Sequence, residues 1–296
     1  MRILLFLSPV LAAQQCCYRN LEHLNCRPLT RTVKLNESSS ARNIEKMQES
    51  GELPVSAKTL QATTESYYRE YNGRKGAERN DLLRNPEVLF QSLSRDAAMV
   101  RALRWIGSDP QVARVLDVGC GDGDSVWTLL RLGFQASNVS GVDIQKEKIA
   151  RAKAGNPAVN FECADATSLE FQDETFDIAM ESMMFLQLTD DDIAKRIAAE
   201  MIRVTRPGGI LLVSDWRYSK PGSSEFKGVS ARRIGELYQV GRRTEVCKRF
   251  RGPLVPPVGR FVSKYCSPAY FAIQAVLPFL AGHVVTVLRK RKTAGM

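Results

Sequence analysis

Residues Val115 to Gly123 read VLDVGCGDG, an apolar run broken by one aspartate and closed by glycines at 119, 121 and 123. Such a run fits a strand covered on both faces, as in a parallel sheet. The glycines supply the unusual dihedrals and the room that a ligand needs to approach the backbone. A parallel strand that ends in a glycine-rich turn and leads into a helix places N–H groups at the carboxyl edge of its sheet, where ligands bind in open α/β folds. The chain around this segment must therefore supply further strand–helix units.

It does so by periodicity. Strands are expected over Ala113 to Val118, Val139 to Ile144, Val159 to Cys163, Phe176 to Met183 and Ile210 to Trp216. Helices are expected over Ser125 to Leu132 and Gln145 to Ala154. A longer helix is expected to be capped by Thr189, to carry Ile193, Ile197 and Met201 on one face, and to be ended by Pro207-Gly208-Gly209. Strands alternating with helices at this spacing imply an open α/β sheet, mostly parallel, with helices on both faces.

Upstream, Asn85 and Pro86 make an N-cap and first turn for a helix to about Ile106, with a core stripe of Leu89, Leu93, Val100 and Leu103. Residues 47–110 are thus a helical lead-in. Residues 1–46 are expected to be a poorly structured or signal-like extension: Arg2, an apolar run from Ile3 to Leu11 and small residues resemble a short signal, and Met47 offers an alternative start. Downstream, helix is expected over Val229 to Gln239, strand over Thr244 to Arg249, a proline-broken helical insertion over about 253–280, and a last, antiparallel strand over His283 to Leu288. The run Ala269 to Leu288 lacks Asp, Glu, Lys and Arg, but Pro278, Gly282 and His283 interrupt it, so a buried helix plus strand is expected over a membrane span.

Charge is unevenly placed. Against a net +10 for the chain, residues 217–296 alone carry +13, with 16 Lys/Arg against 3 acids. That face suits an anionic partner: a phosphorylated or lipid-linked acceptor, an acidic glycan, a membrane surface or a nucleic acid. Seven cysteines without a CxxC pair indicate cytosolic usage and no zinc site, and the only histidines are His23 and His283.

The glycine turn alone would serve a dinucleotide. However, the dinucleotide fingerprint would need glycine at 124, where this chain has Asp. Asp117 inside the strand can hold an amino group, and Asp143 at the next strand end can accept two ribose hydroxyls. Phosphates would be repelled by these acids, whereas an aminoacyl nucleoside would not.

Taken in order, VLDVGCGDGDS, GVDI, ECADATSLEF, FDIAMESMMFLQL and RPGGILLVSDW resemble the successive motifs of class I S-adenosylmethionine-dependent methyltransferases, in their small-molecule branch. The resemblance runs from Val115 to Trp216 and implies a Rossmann-like fold over 111–296, S-adenosylmethionine as cofactor and a cytoplasmic enzyme. It further implies that Asp117, Gly119, Cys120, Gly121 and Gly123 surround the methionine end, and that Asp143 binds the ribose. Ile144 would pack on the adenine, Asp165 and Ala166 would meet its edge, and Glu181 with Met183 would floor the transfer site. Candidate bases are Glu181, Asp215 and His283, and Tyr67, Tyr68, Arg79, Asn80 and Asp81 are candidates for a lid.

For the acceptor, MESMMF stands where base-modifying relatives carry a Pro-Pro-aromatic motif, which argues against nucleic acid. A small-molecule, glycan or lipid-linked acceptor methylated at oxygen is expected, with peripheral contact at the inner membrane face through the basic C-terminal region. A nucleic-acid methyltransferase and a catalytically silent binding protein of the same fold stay open as alternatives.

Overall fold

The computed structural model describes residues 82–219, 222 and 224–292. The expected lid residues 67, 68 and 79–81 and the 1–46 extension lie outside them.

Helix α1 (Pro86–Ile106) starts as its sequence directs. The Asn85 side chain accepts from the Glu87 N–H at 3.1 Å, and Gly107 ends the helix in the left-handed region with its N–H on the Leu103 carbonyl. Its buried face is Val88, Ser94, Ala98, Met99, Ala102 and Leu103, so the expected stripe holds only at Leu103. Leu93 is exposed and Leu89 and Val100 are half-buried. The small residues Ala98 and Ala102, rather than the larger ones, let the helix approach the sheet closely.

The sheet comprises β1 (Val115–Val118), β2 (Val139–Asp143), β3 (Asn160–Cys163), β4 (Phe176–Ser182), β5 (Thr205–Trp216), β6 (Thr244–Arg251) and β7 (His283–Lys290). Their order is β3-β2-β1-β4-β5-β7-β6. Strands β1 to β5 pair in parallel, and β7 runs antiparallel between β5 and β6, as expected of a last strand. The direction of strand order reverses between β1 and β4, which makes the gap above their carboxyl ends the natural ligand crevice.

Successive residues of the strands serve two cores. Val115, Val139, Ile178, Met180, Ile210, Leu212, Val285 and Val287 pack with α1, α2 (Asp124–Arg131) and α3 (Lys146–Gly155). Leu116, Val118, Val142, Ala179, Leu211, Val213 and Leu288 pack with α4 (Asp191–Val204) and α5 (Ala231–Leu237). This period of two also sorts the polar residues at the strand ends, because neighbours in sequence point to opposite faces.

Two boundaries differ from expectation. The cap of α4 is Asp190, whose carboxylate accepts from the Asp192 and Ile193 N–H groups, one residue past Thr189. Pro207-Gly208-Gly209 does not end α4. The helix stops at Val204 and β5 begins at once with Thr205, running through the Pro-Gly-Gly as an irregularity in its pairing with β4. There Gly208 has φ +77, and a Cβ on Gly209 would fall 2.8 Å from the Arg206 carbonyl oxygen.

The proline-broken segment before β7 is the expected insertion. It forms α6 (Pro256–Tyr265) and α7 (Tyr270–Val276), joined and followed by single 3₁₀ turns. Its own small core of Leu254, Val262 and Tyr270 leans on Phe90 of α1. The Ser263 hydroxyl ties it to the Pro86 carbonyl at 2.6 Å. The acid-free run Ala269 to Leu288 is thus a short helix followed by a strand, and no described helix is long and apolar enough to cross a membrane.

Candidate active site

Four strand ends and two loops converge on the carboxyl edge of the sheet. The β1 loop is self-contained: the N–H groups of Gly119 and Cys120 both donate to the Val142 carbonyl, at 2.8 and 3.0 Å, and that of Gly123 to the Cys120 carbonyl. The Gly121 N–H donates to the Asp143 carboxylate at 3.0 Å, and the other oxygen of Asp143 takes the Gln145 N–H at 2.9 Å. These four loop amides, which would cradle a phosphate in a dinucleotide site, are spent inside the protein.

What the loop offers instead is negative charge. Asp117 is 1% exposed and neither carboxylate oxygen has a hydrogen-bond partner. Burial first, and then repulsion from Asp143 and Asp124, push its pKa up to about 8. An unpartnered buried carboxyl facing two other acids calls for a cationic ligand group. An ammonium fits that demand, and a diphosphate would aggravate it. The donor set therefore suits the aminoacyl nucleoside.

The glycines serve the loop for separate reasons. Gly119, Gly121 and Gly123 have φ of +73, +56 and +89. A Cβ on Gly119 would lie 2.8 Å from Met184 Sδ, so that side chain leans against the turn. Gly123 caps α2 and sits against the Phe161 ring, which makes its role one of packing. Cys120 is buried, and its thiol points at Gly141 rather than out of the loop, with its pKa raised by burial. A Cβ on Gly141 would fall 2.7 Å from the Phe161 ring, a requirement for glycine in β2 that sequence reading missed.

The next two strand ends are tied together: the Ala164 N–H donates to the Asp143 carbonyl, and the Cys163 thiol to the Ile144 carbonyl. Ile144, Asp165 and Ala166 are half-buried there, and the Asp165 carboxylate accepts from the Thr167 N–H at 2.8 Å.

The three candidate bases do not converge. Glu181 and Asp215 lie on the α4/α5 face, His283 on the α1 face. Glu181 accepts from the Met184 and Phe185 N–H groups with one oxygen and from the Ser214 N–H with the other. Asp215 accepts from the Leu186 N–H at 2.8 Å and the Trp216 N–H at 2.7 Å. Burial raises both pKa values, with the neighbouring Asp215 as the second cause at Glu181, and Asp215 is pushed up to about 7. Together they pin the segment from Met183 to Gln187 across the strand ends. Met183 begins it at φ +64, left-handed backbone that a side chain adopts only under constraint. Both carboxylates thus hold backbone N–H groups of the loop that follows β4.

His283 is fully buried on β7 opposite Trp216, its ring edge-on to the indole at 5.5 Å. Burial, and then the charge of Arg95, depress its pKa to about 3, so the imidazole is neutral. Neither ring nitrogen has a hydrogen-bond partner, nor does the Ser214 hydroxyl on the same face.

Sequence reading also missed Arg233. It is 5% exposed on α5 and donates to the Phe185, Leu188 and Lys227 carbonyls and to the Asp191 carboxylate. Its charge lowers the Asp215 pKa against the effect of burial. Nothing in the local pattern of ARRIGEL separates it from the exposed Arg232.

Residues 115–209 match the family model described as a methyltransferase domain. Over these residues the chain is similar to methyltransferases. It is 37% identical over 139 residues to 2-methyl-6-phytyl-1,4-hydroquinone methyltransferase of Synechocystis, covering 45% of this chain and 42% of that one. It is 34% identical to demethylmenaquinone methyltransferase of Renibacterium salmoninarum, covering 39% and 46%. The chain thus spans less than half the length of these curated relatives. A Galdieria sulphuraria structure assigned as a sarcosine dimethylglycine methyltransferase shares the fold with a TM-score of 0.51 at 19% identity, covering 68% of this chain and 86% of that one. The matched residues run from β1 through the start of β5. The α1 lead-in, the insertion and β7 lie beyond the matched residues.

Proposed function

We propose that this protein transfers a methyl group from S-adenosylmethionine to oxygen of a small, apolar or lipid-linked acceptor. The observation that carries this reading is the unpartnered, buried Asp117 carboxyl beneath a loop whose amides are already used. When bound, S-adenosylmethionine supplies an electrophilic methyl on a sulfonium. Asp117 would hold its ammonium, Asp143 its ribose hydroxyls, and Ile144, Asp165 and Ala166 its adenine, while Gly119 and Gly121 leave room for the amino-acid chain.

The acceptor class rests on the relatives, two of which are named for quinone-type substrates, and on the apolar Met183–Met184 pair at the edge. An O-methyltransferase of Penicillium expansum, 38% identical over 127 residues, supports transfer to oxygen. An acceptor hydroxyl must lose a proton as the methyl arrives. The carboxylates of Glu181 and Asp215 are bonded to backbone N–H groups, and His283, buried with its pKa depressed to about 3, is a weak base for that proton. His283→Gln is expected to leave both cofactor affinity and kcat on hydroquinone or phenol acceptors within about twofold of wild type. A loss of kcat of about tenfold or more would instead place His283 in the proton transfer.

The donor half of the reading has its own test. Below pH 8 the Asp117 carboxyl is protonated, because its folded pKa stands near 8. Pairing with an ammonium requires the ionised form, so binding expels a proton. Affinity for S-adenosylhomocysteine should therefore rise between pH 6 and pH 8, by up to about tenfold per unit. Calorimetry in phosphate and in Tris would detect the released proton as a buffer-dependent heat. Asp117→Asn should flatten the profile. Absence of binding at every pH would overturn the enzyme reading altogether.

A further inference from the structure

We infer that the insertion between β6 and β7 is a membrane-docking surface that seats the carboxyl edge of the sheet against an anionic bilayer. The helices of this segment bury only one side. Val262, Ser263 and Tyr270 face inward. Outward stand Phe261, Tyr265, Val276 and Phe279, at 63%, 66%, 76% and 64% exposure, with Phe271 and Leu277 beside them. Scattered exposed apolar residues need no explanation, but this many on one segment of 28 residues, 253–280, do.

Charge selects the occupant. From Gly252 to Met296 there is no Asp or Glu. The cations of the insertion are Arg260 and Lys264, the latter 3.1 Å from Glu87 of α1, and Arg217 joins the surface through the Phe279 carbonyl at 2.9 Å. Aromatic and aliphatic side chains rimmed by Lys and Arg match the interface of an anionic membrane, where the rings enter the acyl boundary and the cations meet headgroups. A second copy of the same face would instead oppose cation to cation.

Position gives the surface its use. The Arg217 N–H donates to the Gly282 carbonyl, and β7 starts with His283 opposite Trp216, the last residue of β5. The insertion therefore borders the edge that carries Asp117 and Asp143. The basic end of β7 does not. Lys290 donates to the Thr205 carbonyl at 2.7 Å, at the start of β5, and Arg289 pairs with Glu245. Within the basic C-terminal region the contact thus falls on the acid-free aromatic insertion, at the edge opposite the basic end of β7. Docking rests on this surface alone, and only the idea that a lipid-linked acceptor enters from the bilayer rests on the methyl-transfer reading.

The test is flotation of the full chain with vesicles of phosphatidylcholine containing phosphatidylglycerol, against phosphatidylcholine alone. The wild type should float preferentially with the anionic vesicles, and the double variant Phe261→Asp/Phe279→Asp should lose at least about tenfold in partition. Both positions are exposed, so thermal melting and S-adenosylhomocysteine affinity should be unchanged in the variant. Unaltered partition of the variant, or no flotation of the wild type, would overturn the inference. So would a wild-type dimer, split by the same substitutions, that ignores vesicles. A chain that floats but binds no S-adenosylhomocysteine would keep the docking surface and refute the enzyme reading.

Discussion

Asp143→Ala is expected to weaken S-adenosylhomocysteine binding about 100-fold, the largest effect of any single substitution at the cofactor edge. The Asp143 carboxylate holds the loop through Gly121 and the start of α3 through Gln145. Two further acceptor positions remain for the ribose hydroxyls. Hydrogen bonds to a charged group contribute roughly 1.5–3 kcal/mol each, so losing two to the ligand costs about 3 kcal/mol or more. Asp143→Asn keeps one acceptor and should lose about tenfold. Titration calorimetry reads both, with thermal melting to show that the fold persists. An affinity within a factor of two of wild type would mean that the ribose lies elsewhere.

Arg233→Met is expected to destabilise the fold by about 3 kcal/mol or more, since each buried carbonyl left without its donor costs roughly 1–3 kcal/mol. Three carbonyls, of Phe185, Leu188 and Lys227, would lose a donor. The cost should depend on pH. The folded pKa of Asp215, about 7, stands above its value in an unfolded chain. Ionisation of Asp215 in the folded state therefore costs stability as pH rises through 7, and the Arg233 charge offsets that cost. The variant should accordingly suffer more at pH 8 than at pH 5, where Asp215 is neutral either way. Urea unfolding at the two pH values measures this. Arg233→Lys should recover little, since a point charge cannot span the same carbonyls. Equal losses at both pH values would show that the carbonyl bonds, and not the Asp215 charge, are what Arg233 contributes.

Much of this arrangement is legible in the primary structure where a residue acts through its own local pattern. The β1 loop, the Asn85–Pro86 helix start, the alternation of strands and helices and the broken insertion all follow from period, caps and breakers. Asp117 and Asp143 stand out because a carboxylate interrupts or ends an apolar run. By contrast, the stripe of α1 and the course of Pro207-Gly208-Gly209 were misread. In both, close packing against the sheet overrode local preference: Ala98 and Ala102 approach it better than Leu93, and β5 absorbs the Pro-Gly-Gly as a bulge.

Sequence alone thus determined the order of elements and the acids that stand out in β1 and β2, because each is a property of neighbouring residues. Tertiary structure decided which face each polar residue takes. The period-two alternation of the strands sends Glu181 and Asp215 to one side and His283 to the other, and the antiparallel course of β7 puts its basic end at the sheet edge opposite the β1 loop. It also decided that Glu181 and Asp215 are bonded to backbone N–H groups, that Arg233 is buried on the Phe185, Leu188 and Lys227 carbonyls, and that the Asp117 carboxyl has no hydrogen-bond partner. Those are consequences of contacts between residues far apart in the chain, which no local pattern encodes.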